Sequence, residues 1–290
     1  MQIMLVGKYG QLAWELRRTL VPLGQLHSLS SKELNLEDKD AIRRVVQNTT
    51  PDVIVNAAAY TAVDQAEAEP QKASRINAVA PGILAEEARR LDALLVHFST
   101  DYVFDGTQAK PYTEDDIPNP LNVYGSTKLE GEQRIRASGA RHLILRICWI
   151  YGLRGKNFFL AMRELARHRN ELQIVDDQRG APNWSRLIAE ATALLIASLQ
   201  DKAGNSGGTY HLSSAGETTW YGFAREIFSS GQSIIPGVPR LQPVSTEQFG
   251  ARAARPLNSV LDCTRLQKNF GIELPHWQEA LKLLLEEARK

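Results

Sequence analysis

Tyr124 and Lys128 frame the pentad Tyr124-Gly125-Ser126-Thr127-Lys128, a spacing that puts a phenol and an ammonium on one face of a helix, one turn apart. A free phenol titrates near ~10 and is a poor acid–base group at neutral pH. A neighbouring cation stabilises the phenolate and brings its proton into working range. The pair therefore suggests proton exchange with a substrate oxygen. The pattern recurs by chance on many helices, so it needs company. Phe98-Ser99-Thr100-Asp101-Tyr102-Val103-Phe104 supplies it, because a strand buried on both faces does not require Ser-Thr-Asp in its middle. A hydroxyl at a strand's carboxyl end can hydrogen-bond a substrate carbonyl and help stabilise a developing alkoxide.

A second group of residues reads as a phosphate cradle. The apolar run Ile3–Val6 passes straight into Gly7-Lys8-Tyr9-Gly10-Gln11-Leu12-Ala13, where a helix begins. Gly7 and Gly10 allow a sharp turn and close backbone approach to a pyrophosphate, which a helix N-terminus attracts. Ala13 stands where the dinucleotide fingerprint has its third glycine. The end of the second strand discriminates between nicotinamide cofactors, since an acid there grips a ribose 2′-hydroxyl and repels a 2′-phosphate. This chain has Ser30-Ser31-Lys32 instead, with Arg17 and Arg18 on the first helix expected within reach. Hydroxyls and cations suit a phosphate. The expected cofactor is NADPH, with NADH as the alternative. The small residues of Asn56-Ala57-Ala58-Ala59 leave room for a ligand across the sheet edge.

The elements that must position these groups alternate through the first half. Strands are expected at Ile3–Val6, Leu26–Leu29, Asp52–Val55, Leu94–Phe98 and His142–Ile147, and helices over 11–20, 38–47, 71–91 and 124–137. Strands separated by helical periodicity imply right-handed crossovers and a buried parallel sheet, a doubly wound Rossmann-type α/β fold. After about residue 150 the rhythm changes. Helices are expected over 157–168, 185–199, 219–230 and 277–288, strands at Leu172–Val175 and Tyr210–Leu212, and a loop at 200–208. Residues 1–150 thus form a cofactor domain and 151–290 mainly a smaller α/β substrate domain, with a segment near 185–212 returning to the first.

The chain has 290 residues and a formal net charge of +1, so no electrostatic case arises for nucleic acid or an anionic membrane. No run approaches a membrane span, no signal peptide is visible, and the expected location is cytoplasmic. Cys148 and Cys263 read as reduced core residues, and the histidines, His97 in its strand included, show no metal-ligand spacing.

In this order and at these separations the pieces resemble the extended short-chain dehydrogenase/reductase superfamily and, within it, the dTDP-4-dehydrorhamnose reductases. The resemblance spans nearly the whole chain. It rests on Gly7–Gln11, Asn56–Asp64, Ser99–Phe104, Pro120–Gly125, Trp149–Gly152, Asp177-Gln178 with Gly180-Ala181-Pro182, Tyr210–Leu212, Thr218–Tyr221 and Arg255–Ser259. It implies reduction of the C4 keto group of dTDP-4-dehydro-L-rhamnose. Tyr124 would be the proton donor, Lys128 its partner and a ribose ligand, and Thr100 the carbonyl-orienting hydroxyl. Gln11, Leu12, Ser30, Asn35, Leu36, Ala59, Tyr60, Thr61 and Phe98 would touch the cofactor, and Asp101 and Trp149 the nucleotide sugar. Asn183 stands where the family pattern has Thr, and Asn35 where it often has Asp. Some members dimerise through a magnesium ion held by three glutamates. Glu15 and Glu287 match two of these positions and Arg186 the third, so no metal is expected, and the chain is a monomer or homodimer. Another 4-ketosugar reductase, an epimerase with tightly held cofactor, or a non-catalytic subunit are the other readings. The presence of Thr100, Tyr124 and Lys128 weighs against the last.

Overall fold

The computed structural model describes residues 1–199, 207–231, 234–235 and 237–289. Five apolar runs of the first half form parallel strands: β1 (Gln2–Val6), β2 (Gln25–Leu29), β3 (Val53–Asn56), β4 (Leu94–Thr100) and β5 (His142–Ile147). The strand Gly207–His211 adds beside β5, and the six-stranded sheet runs Gly207–His211, β5, β4, β3, β1, β2. Parallel neighbours need crossovers, supplied by α1 (Gln11–Thr19), α2 (Lys39–Thr49) and the helices Ala80–Arg90, Val123–Ser138 and Ser185–Ser198. These cover both faces, so the central strands are apolar on both sides. The result is the doubly wound fold. Because β1 lies between β2 and β3, connections diverge from its carboxyl end and open a crevice there.

The expected helix over 71–91 is interrupted. Helical turns at Pro70–Ser74 and Ala80–Arg90 flank a π-helical turn at Arg75–Val79. Pro81 lacks the N–H that an unbroken α-helix would send to the Asn77 carbonyl, and its ring crowds that position. Asn77 is exploited instead: its side chain bonds the Tyr60 backbone and the Thr127 hydroxyl.

The second half builds its own core around Tyr151, Phe159, Trp184, Phe223, Trp277 and Leu281. Two of its segments join the first half: Ser185–Ser198 packs against α1, and Gly207–His211 extends the sheet. Residues 200–206 of the expected loop lie outside the described residues, whereas Gly207 and Gly208 open the sixth strand. Cys148 is buried, Cys263 is partly so, and both are free. Among the described residues no helix is long and apolar enough to cross a membrane.

Candidate active site

The glycine turn leaves β1 at Gly7, whose φ of +105° lies in the left-handed region. A Cβ there would stand 3.1 Å from the Ala58 nitrogen, so only glycine lets the ends of β1 and β3 approach this closely. Gly10 then caps α1 without any side-chain hydrogen bond. A Cβ on Gly10 would meet nothing within 4 Å, and the first amides of the helix face open space suited to a phosphate.

That space is one end of a cleft of ≈ 860 Å³ along the carboxyl ends of the strands. Of the residues expected at a site, it is lined by Gly7, Gly10, Gln11, Leu12, Ser30, Ser31, Asn35, Leu36, Ala59, Thr61, Phe98, Thr100, Asp101, Tyr124, Lys128 and Trp149. Lys32 and Tyr60 are not brought to it. Lys32 is exposed in the turn after β2. The Tyr60 phenol donates to Glu69 at 2.7 Å, an interaction that pushes it up to about 12.

The cofactor-selecting corner also differs from expectation. Both the Ser30 N–H and the Ser30 hydroxyl donate to Glu33 Oε2, at 2.8 and 2.7 Å, and Lys8 Nζ lies 3.6 Å from Glu33 Oε1. A carboxylate three residues past Ser30 thus engages the groups that would take a phosphate. Arg17 and Arg18 lie over the Trp14 ring, and Arg18 also pairs with Glu15, rather than serving this turn.

At the catalytic end, Asn122 Oδ1 caps the Val123–Ser138 helix by accepting from the Gly125 N–H at 2.8 Å. A Cβ on Gly125 would stand 2.2 Å from the Tyr102 carbonyl oxygen, so this glycine seats the first helical turn directly on the turn after β4. Tyr124 meets Tyr102 edge-on at 5.9 Å. Its phenol interacts with the Thr100 hydroxyl, which pulls its pKa down, while burial and the Asp101 carboxyl push it up to about 12. Thr100 Oγ1 donates to Asp101 Oδ1 at 3.0 Å, whereas Asp101 Oδ2 is buried and has no hydrogen-bond partner among the described residues. Burial raises the Asp101 carboxyl to about 6 against the Ser259 and Thr100 hydroxyls.

Lys128 is buried, and it bonds β4 rather than the phenol. Its Nζ donates to the Phe98 carbonyl at 2.5 Å and lies 3.1 Å from His97 Nε2. Burial lowers the ammonium to about 8, with Glu132 acting upward. Both of these contacts are to β4, and neither is to the Tyr124 phenol. Behind it, Glu132 is fully buried and accepts from Ser99 Oγ (2.5 Å), Arg146 Nε (3.0 Å) and Arg146 Nη2 (2.8 Å).

Trp149, at a φ of 42°, lines the same cleft and stacks on Trp220 with centroids 3.6 Å apart. Trp220 sits in Thr218–Tyr221, a stretch noted for the resemblance but given no role from sequence. Lys156 also lines this cleft and carried no local signal. Asn183 is a cross-tie, its Nδ2 donating to the Cys148 and Ala181 carbonyls and its Oδ1 accepting from the Ser214 N–H. Arg186 pairs with Glu15 and with Glu287, placing a cation among the carboxylates.

A parallel sheet with a glycine turn at its crevice and a Thr–Tyr–Lys constellation beside it defines a Rossmann-type protein of the short-chain dehydrogenase/reductase class. Comparison with known proteins narrows this. The family described as RmlD substrate binding domain matches residues 1–290. The chain is 44% identical over 294 residues to the dTDP-4-dehydrorhamnose reductase of Burkholderia thailandensis, covering 99% of both. It is 41% identical over 295 residues to the enzyme of that name from Escherichia coli, covering 99% of this chain and 98% of the relative. A crystal structure of dTDP-4-dehydrorhamnose reductase from Bacillus anthracis in complex with NADP superimposes with a TM-score of 0.92 at 35% identity, covering 98% of each chain. The chain belongs to the RmlD family, and it is an oxidoreductase.

Proposed function

We propose that the enzyme reduces the C4 keto group of dTDP-4-dehydro-L-rhamnose to the alcohol with NADPH, accepting NADH at the same site. The observation that carries this reading is the meeting of Thr100, Tyr124 and Lys128 on one cleft with the glycine turn at its far end. The residues fit a dinucleotide. Gly7 and Gly10 leave the space, the uncapped start of α1 offers amides to a pyrophosphate, and Tyr124 lines the same cleft. When bound, the cofactor supplies the hydride. The chain's own groups handle the oxygen. Tyr124 and Thr100 line one cleft, where a substrate carbonyl would accept from the phenol and, once the Thr100 hydroxyl turns from Asp101 Oδ1, from Thr100 as well. A phenol held at about 12 keeps its proton at neutral pH, the form a reduction needs, and yields it to the more basic alkoxide. Lys128, lining the same cleft, provides positive charge for the phenolate left behind. Names of the relatives support the sugar, and the NADP-bound neighbour supports the cofactor.

The test is oxidation of NADPH, and separately NADH, by the purified enzyme with dTDP-4-dehydro-L-rhamnose, with the product sugar identified. A folded preparation that oxidises neither cofactor rules the reading out.

Glu33 offers a finer check on the cofactor. Glu33→Gln removes a negative charge beside the expected 2′-position and releases Lys8 from its ion pair, while the amide oxygen can still accept from Ser30. The affinity ratio of NADPH over NADH should rise a few-fold, because the like charge that opposes a 2′-phosphate is removed at a solvent-screened site. Titration of both cofactors measures it, and an unchanged ratio would remove Glu33 from cofactor choice.

A further inference from the structure

We propose that His97 is a positioning residue for Lys128: from β4 its imidazole accepts one N–H of the buried ammonium and so directs another toward the cleft. The proposal rests on the reading of Lys128 given above. An ammonium has three donors. One goes to the Phe98 carbonyl at 2.5 Å and one to His97 Nε2 at 3.1 Å. Both acceptors are adjacent residues of one strand, so the lysine tip is tethered from one side. The third N–H is what remains for the cleft that Lys128 lines.

An imidazole accepts at Nε2 only when it is neutral with its proton on Nδ1. Burial, and then the Lys128 charge, hold the His97 pKa well below its ordinary value, so the ring is neutral. Nδ1 lies 3.1 Å from the side-chain amide of Asn56, its register partner on β3. The amide stands with Nδ2 toward the ring while its Oδ1 accepts from the Ala58 N–H at 3.3 Å; a half turn of the amide, which gives up that longer bond, brings Oδ1 to an Nδ1–H. The remaining charged or titratable neighbours are Glu132 on the lysine's own helix, tied to Arg146 of β5, and Tyr124 with Asp101 at the cleft. His97 and Phe98 thus supply the hydrogen bonds that offset the cost of burying this ammonium. A histidine serving only to fill the core would need no lysine as its partner.

Two measurements test this. Nitrogen NMR of the wild-type enzyme should show His97 as the Nδ1–H tautomer with Nε2 unprotonated. The Nε2–H tautomer would overturn the proposal, because the ring would then be the donor. In protein carrying carbon-13 at lysine Cε, the Lys128 resonance, assigned by its loss in Lys128→Met, should titrate about one pH unit lower in His97→Leu than in wild type. His97→Gln, which keeps a side-chain acceptor, should recover much of that shift. The alkaline limb of the kcat–pH profile should move with it, with KM for NADPH changing less than kcat. A Lys128 midpoint unmoved in folded His97→Leu, or a glutamine variant no better than leucine, would refute the positioning role. If His97→Leu does not fold, the wild-type tautomer alone decides. Failure of the reductase reading would appear separately, as no NADPH oxidation by wild type, and both NMR readouts would stand regardless.

Discussion

Tyr124→Phe should lower kcat by about 100- to 10,000-fold, the usual span for removing a positioned general acid, while NADPH affinity stays within a factor of about two. The change deletes one oxygen. The ring keeps its edge-on contact with Tyr102 at 5.9 Å, and Gly125 still seats the helix on the turn after β4. What disappears is the proton that burial holds on the phenol and the partner of the Thr100 hydroxyl. Thr100 alone can still orient a carbonyl but is too weak an acid to protonate it. Stopped-flow or steady-state oxidation of NADPH reads kcat, and quenching of protein fluorescence reads cofactor binding. Turnover close to wild type would take the phenol out of the mechanism.

Arg146→Met should cost about 3–5 kcal/mol of folding stability, the range found when one partner of a buried ion pair is removed. Arg146 reaches Glu132 through two nitrogens, at 3.0 and 2.8 Å, and both side chains are buried. Burial pushes the Glu132 carboxyl up, but the Arg146 guanidinium, with Ser99 and Arg136, overrides it and holds the carboxyl below its ordinary value. Methionine fills similar volume and leaves the carboxylate with Ser99 and the half-exposed Arg136. The pH dependence follows from the sign of the shift. A depressed folded pKa contributes stability that is present above the unfolded carboxyl pKa of ~4.3 and is lost as pH falls through the folded value. The gap between wild type and Arg146→Met should therefore be full at neutral pH and narrow below about pH 4. Urea unfolding followed by far-ultraviolet circular dichroism measures it. A difference under about 1 kcal/mol at pH 7 would mean the pair is dispensable.

Much of the site was legible before any fold was known, and the reason is locality. Tyr124 and Lys128 share a helical face by spacing alone, and Gly7 and Gly10 follow an apolar strand without a gap. Lys32 and Tyr60 stand apart from the cleft lining. A cation near the end of β2 need not turn inward, and Lys32 stays in solvent, while a tyrosine in a suggestive stretch found Glu69 first. Glu33 lies just past Ser30-Ser31-Lys32, and a carboxylate three positions beyond a serine can fold back onto its N–H. His97 read as a residue of the sheet, which it is, but nothing local tells that Lys128, 31 residues later, ends against its ring.

The alternation of strands and helices, the glycine turn at the crevice and the Tyr–Lys spacing can be read from the chain alone, because each depends on residues within a turn or a strand of one another. Tertiary structure alone decided that Lys128 is tethered to β4, that Asn56 stands opposite His97, that Trp149 stacks on Trp220, and that Asn183 ties loops together. Those partners meet through strand register and helix packing, and the direction of a buried side chain is settled by which neighbour can satisfy its hydrogen bonds once water is excluded.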